Sequence, residues 1–298
     1  MTAPPDPESD RPLDLVSAEG PSRGLPRRVA VFAGLGAAAA GLAACSTTSA
    51  PTSGTTARSS EATGSSGATA SAGPSPHTSQ TQIPHILMTP GPDIVAGPRS
   101  SGEVALTFHG AGDPSIARAV LAALAAHQAE VTVFTVGTWA RQHPDVVHAL
   151  LGAGHDVGNH TWSHQPMRSL SAAAARVEVQ RGAHAVAAVR GSAGALFRPS
   201  GTPTSTATIR AAAASAGYHR CISYDVDSLD YTDPGSTAIV RNVEATVRGG
   251  SIVSLHLGHP GTVAALPKIL DLLTQRGLRA VTITRLLAHP GEPVLARS

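Results

Sequence analysis

The stretch EVALTFHGAGDPSIARAVLAALAAHQAEVTVFTV, residues 103–136, holds one complete strand–helix–strand repeat. Residues 103–108 form a short apolar run that reads as a strand. The polar, Gly-rich break His109-Gly110-Ala111-Gly112-Asp113 follows. Residues 115–127 read as a helix with Ser115 as a candidate cap. Residues 131–136 read as a second strand, rich in β-branched side chains.

Working outward, the same alternation recurs. Helices are expected at 145–151, 171–189, 204–216, 236–248 and 263–276. Strands are expected at 156–157, 195–197, 219–224, 251–255 and 280–283. Strands separated by helices imply parallel pairing through right-handed crossovers. About seven repeats give an α/β fold of distorted (β/α)7-type barrel form, although a doubly wound sheet fits the same alternation. In both architectures ligands bind at the carboxyl ends of the strands.

Upstream, the chain changes character. Arg27 and Arg28 precede an apolar run of 16 residues, 29–44, short of the ~20 a membrane helix needs. The run ends in Leu42-Ala43-Ala44-Cys45, which resembles a bacterial lipobox. Residues 1–44 therefore read as a signal peptide and Cys45 as a lipidated mature N-terminus. Residues 45–100, rich in Ser, Thr, Gly and Pro, read as a flexible stalk. Residues 101–298 form the globular domain. The expected location is the outer face of the cell membrane, with the membrane as a partner through the lipid anchor. Net charge is +2 and Lys268 is the only lysine, so the clustered cations that nucleic-acid binding needs are missing. A monomer is expected. Cys221, in an apolar stretch, reads as a small buried thiol.

Polar residues recur just after the expected strands. They are His109 and Asp113, then His160 and His164, then Arg198, then Asp225, Asp227 and Asp230, then His256 and His259. His160 and His164, four apart in GHDVGNHTWSH (154–164), suit one divalent ion, since neutral imidazoles are good zinc donors. With 14 histidines in the chain, the pair alone is weak evidence.

Four motifs in order give more. Residues 154–164 resemble the His-x-x-x-His metal motif of the polysaccharide deacetylase family (NodB homology, carbohydrate esterase family four). Phe197-Arg198-Pro199 resembles its Arg-Pro motif. Asp227-Ser228-Leu229-Asp230-Tyr231 resembles its Asp-x-x-Asp-Trp motif, and Ser254-Leu255-His256 its closing Leu-x-His motif. The resemblance runs from about Val104 to Leu287. It implies a metal-dependent hydrolase, with zinc as the metal, that removes N-acetyl groups from a cell-envelope polysaccharide such as peptidoglycan. It also implies catalytic roles for Arg198, Asp227 and His256, with His256 protonating the leaving amine and Asp227 orienting an imidazole or pairing with Arg198. Tyr231 stands where the family uses Trp and would line the substrate pocket.

The first motif departs. Where the family has Thr-Phe-Asp-Asp-Gly, this chain has Thr107-Phe108-His109-Gly110-Ala111. His109 takes the place of the general base, and Gly110 the place of a metal ligand. Three readings follow. His109 is a third imidazole ligand; or His109 is the base and Asp113 supplies the ligand; or the domain is a catalytically impaired glycan-binding protein.

Overall fold

A computed structural model describes residues 82–297. The expected signal peptide and the lipidation at Cys45 lie outside the described residues. The folded part begins earlier than 101. A 3₁₀ turn at His85–Met88 leads into β1, Ile94–Ala96, which pairs antiparallel with β8, Val294–Leu295. Residues 85–96 are thus part of the fold, not of the stalk.

The strand–helix–strand repeat of residues 103–136 is present as β2 (Glu103–Gly110), α1 (Pro114–Ala126) and β3 (Thr132–Thr135). Then come α2 (Gly137–Gln142), α3 (Pro144–Gly152), β4 (Asp156–Asn159), α4 (Ala172–Arg190) and α5 (Ala207–Ala214). The chain finishes with β5 (Val226–Asp227), α6 (Ser236–Glu244), β6 (Ile252–His256), α7 (Pro260–Gln275), β7 (Arg279–Val281), α8 (Ile283–Ala288) and β8.

The parallel ladder runs β4-β3-β2-β6-β5. On its other side β2 is shared. Its first half, Glu103 to Ala105, pairs with β7, and its second half, Thr107 to Gly110, with β3. Beyond β4 the sheet continues only through single bridges in place of a full ladder. Asn159 pairs with Phe197, and the amide of Ile222 donates to the Phe197 carbonyl (2.8 Å). This corrects two expectations: 195–197 and 219–224 each contribute one bridge, not a strand, and the short strand lies at Val226–Asp227. The structure is an α/β barrel-like fold with a parallel sheet, distorted where those bridges replace ladders.

Period-two alternation divides β2 between two cores. Val104, Leu106 and Phe108 point outward into the layer formed with α1, α3, α6 and α7. Ala105 points inward, among Ile94, Phe134, Ile252 and Val281. Thr107 and His109 share that inner face. On β6, Val253 and Leu255 face outward, while Ile252, Ser254 and His256 face inward. Both strands therefore carry an imidazole at the carboxyl end of the barrel interior.

Candidate functional site

His109 and His256 are register partners on β2 and β6, and their ring centroids lie 4.2 Å apart. His160 follows β4 directly, its ring tilted against that of His109 with centroids 4.4 Å apart. His164 ends the next turn, 4.9 Å from His160. One ring nitrogen from each of His109, His160 and His164 lies within 4.8 Å of the others. That is the geometry expected of His109 as a third imidazole.

His160 is buried. Its Nδ1 lies 2.8 Å from the Arg198 carbonyl, so Nδ1–H donates and Nε2 carries the lone pair. That Nε2 is buried and has no hydrogen-bond partner. An orphaned imidazole nitrogen facing two further imidazoles is the donor arrangement a divalent cation takes. Burial, and then the neighbouring imidazoles, hold His109 and His160 well below the usual histidine range, and burial lowers His164 as well. All three are neutral donors at pH 7, as metal ligation requires.

Asp113 is elsewhere. It is the N-cap of α1, its Oδ1 accepting the Ser115 amide at 2.8 Å, in the role expected of Ser115. Its side chain is exposed and satisfied by the helix, so it does not join the three imidazoles.

Arg198 is almost fully buried behind the cluster. Its guanidinium donates to Thr107 Oγ1 (2.8 Å) and to the carbonyls of Ile222 (3.1 Å) and Ser223 (2.9 Å), and lies 4.4 Å over the Phe134 ring. Among the described residues no carboxylate forms an ion pair with it. Burial pushes it down to about 9, so it stays charged at neutral pH. The expected Arg198–Asp227 pair is not formed.

Asp227 does not orient His256 either. Its Oδ1 accepts the Leu229 amide (3.0 Å), a local Asx turn. The 3₁₀ turn Asp230–Thr232 instead carries Asp230 under the imidazole. Asp230 Oδ1 is 2.7 Å from His256 Nδ1, and Oδ2 accepts the His256 amide (2.7 Å) and Thr262 Oγ1 (2.6 Å). Burial alone would raise this carboxyl, but the bonds from His256 and Thr262 outweigh it and hold it below the usual value. Asp230 is the second acid of the Asp-x-x-Asp motif, whereas the orienting role was expected of the first acid, Asp227.

A cleft of about 330 Å³ opens above the imidazoles, lined by His109, His164, Arg198, Asp227, Tyr231 and His256. Tyr231 is 49% exposed at its rim, with its ring 5.4 Å from His256. His259 points away to Asp233 (2.8 Å), and Asp225 pairs with Arg99 (2.7 Å), so both serve loops. Burial pushes the Cys221 thiol up to about 12, an inert packed group.

Residues 96–221 match the profile of the family described as polysaccharide deacetylase. A peptidoglycan-N-acetylglucosamine deacetylase of Bacillus cereus is 34% identical over 197 residues, spanning 64% of this chain and 91% of that protein. The chain belongs to the polysaccharide deacetylase family. A solved family-four carbohydrate esterase of Streptomyces lividans, in complex with acetate, is 33% identical with a TM-score of 0.56 over 60% of this chain and 91% of its own. A second solved structure, described as a family-four pseudoenzyme from Bacillus anthracis, is 25% identical, with a TM-score of 0.62 over 67% of this chain and 69% of that one. A mutant of that protein is described as having restored enzymatic activity. In this polysaccharide deacetylase residues of all four motifs line one cleft together with His109.

Proposed function

We propose that the chain is a metal-dependent hydrolase that removes N-acetyl groups from a cell-envelope polysaccharide such as peptidoglycan, with His109, His160 and His164 as the metal ligands and zinc as the metal. The observation that carries this reading is the unpartnered, buried Nε2 of His160 facing two more neutral imidazoles. Three histidines and an open position form a recognised catalytic zinc set. A divalent cation held there supplies a Lewis acid that polarises an acetamide carbonyl and acidifies water.

His109, as a ligand with depressed basicity, leaves the proton work to His256. Asp230 fixes Nδ1–H of that ring, so Nε2 is the free nitrogen. His256 Nε2 takes a proton from the attacking water as the C–O bond forms. It returns the proton to the amine nitrogen as the C–N bond breaks, releasing acetate. The negative charge of Asp230 stabilises the imidazolium between the two transfers. Arg198 keeps a positive charge next to His109 and so favours its neutral, ligating form. Tyr231 offers an exposed aromatic face at the rim for the sugar.

The test is zinc content and acetate release from N-acetylated peptidoglycan. One bound zinc and release of acetate, both lost in the His160→Ala/His164→Ala double variant, support the reading. A second reading, a glycan-binding pseudoenzyme, is favoured by His109-Gly110 in the first motif and by the likeness to the Bacillus anthracis protein. Glycan binding without acetate release in the zinc-loaded protein selects it. Envelope placement rests on the Leu-Ala-Ala-Cys45 leader, and Cys45→Ala should move the protein out of the membrane fraction.

A further inference from the structure

Glu178 on α4 is a carboxylate only 6% exposed, and it takes no part in the chemistry described above. Among the described residues no cation pairs with it. Its partners are all in the turn between His160 and His164. Oε2 accepts the amides of Trp162 (3.2 Å) and Ser163 (2.9 Å), and Oε1 accepts Ser163 Oγ (2.8 Å).

That turn is held in backbone that side-chain-bearing residues avoid. Thr161 and His164 have φ of 67° and 61°. Such backbone persists only where the surroundings over-determine it. Two further bonds tie the same turn to α4. Asn159 Oδ1 accepts the Thr161 amide (2.9 Å), and Asn159 Nδ2 donates to the Val179 carbonyl (3.0 Å). One turn along, Gly182 lets the helix come close: a Cβ there would lie 2.3 Å from Asn159 Oδ1 and 2.7 Å from the Thr161 carbonyl carbon.

We propose that Glu178 is the positioning residue of the metal site. Its carboxylate gathers the 162–163 amides and so holds His164 in left-handed backbone, where its ring meets His160 and His109. The proposal rests on the reading that these imidazoles hold a metal. Residues one shell out from a metal commonly set how well its ligands converge. A buried carboxylate satisfied only by neutral donors costs desolvation, and an ordinary helix–loop contact would not need one.

The experiment uses the full chain and its Glu178→Ala, Glu178→Gln and Glu178→Asp variants. Zinc affinity is read by competition with a chelator, and amide exchange of the metal-free proteins is read residue by residue. Zinc affinity should fall about 10–100-fold in Glu178→Ala. Glu178→Gln, which keeps one acceptor oxygen but turns an NH₂ toward the amides, should fall less. In the metal-free variants the Trp162 and Ser163 amides should exchange faster, while amides of β2 and β6 keep their protection. Wild-type zinc affinity in a folded Glu178→Ala, or unchanged exchange at Trp162 and Ser163, overturns the proposal. If Glu178→Ala does not fold, the isosteric Glu178→Gln decides by the same two readouts. A wild-type protein that binds no zinc overturns the metal reading, and the metal-free exchange then shows by itself whether Glu178 holds the turn.

Discussion

His109 sits between two imidazoles, 4.4 Å from the His160 ring and 4.2 Å from the His256 ring, with the Arg198 cation behind it. The nearby positive charge would favour a carboxylate in its charged, basic form there, whereas it keeps an imidazole neutral and so a donor. His109→Ala should therefore lower zinc content and cut acetate release by at least ~100-fold together, the usual size of a lost active-site group. Full zinc occupancy with a normal rate would remove His109 from the site. Asp113→Ala should leave zinc content unchanged and lower the melting temperature slightly, because Asp113 only caps α1. The acid pair offers a sharper contrast. Asp230→Asn should lower acetate release by about 100-fold or more, since the amide cannot hold His256 Nδ1–H in the same charge state. Asp227→Asn should cost much less, and the opposite ranking would return to Asp227 the role that the motif first suggested.

Between strands, Gly110 limits what the first motif can become. It pairs with Thr135 across β2 and β3, and a Cβ there would lie 2.9 Å from Val133 Cγ1 and 3.1 Å from the Thr135 Cα. Backbone cannot yield as a flexible side chain can. Gly110→Asp should therefore destabilise the protein by about 1–3 kcal/mol, measured by urea denaturation, and should not by itself raise acetate release. Equal stability with a higher rate would show that β3 moves aside readily. The same scale explains what the sequence disclosed. Long periodic elements such as α4 and α7, and the buried strands β2, β3 and β6, carry their pattern in their own residues. Residues 195–197 are as apolar, and 219–224 carry the apolar pair Cys221-Ile222, yet their partners reach them at one residue each, and apolar content does not report register. Asp113 rather than Ser115 became the cap because Pro114 fits the first helical position, which puts the cap one residue before it. The His160/His164 pair was legible from spacing. The motif marked Asp230 but not its role, and nothing marked Glu178, because their partners lie 26 and 15 residues away in sequence and meet them only through the fold.

For the molecule as a whole, the barrel mouth gathers titratable groups that folding holds in one protonation state. His109 and His160 are held well below 6.5, chiefly by burial. In the unfolded chain they take up protons near 6.5, while in the folded chain they do so only at much lower pH. The unfolded state therefore binds more protons below pH 6.5, and stability falls as pH falls. Each such imidazole contributes a slope of roughly 1.4 kcal/mol per pH unit between its two values. Asp230 acts in the same direction in a lower window: held below 3.8, its contribution is present above that value and lost as the pH falls through the folded one. The metal-free protein should thus show an unchanged urea midpoint from pH 8 to about 7 and a steep decline from about pH 6 to 5. A His109→Gln/His160→Gln variant should lose much of that decline, because the two groups that refuse protons are gone. Zinc should shift the decline of the wild type to lower pH while it remains bound, by stabilising the folded state. A urea midpoint that stays level from pH 7.5 to 5 in the metal-free wild type would mean that these imidazoles are open to water. The neutral donor set on which the metal site depends would then be lost.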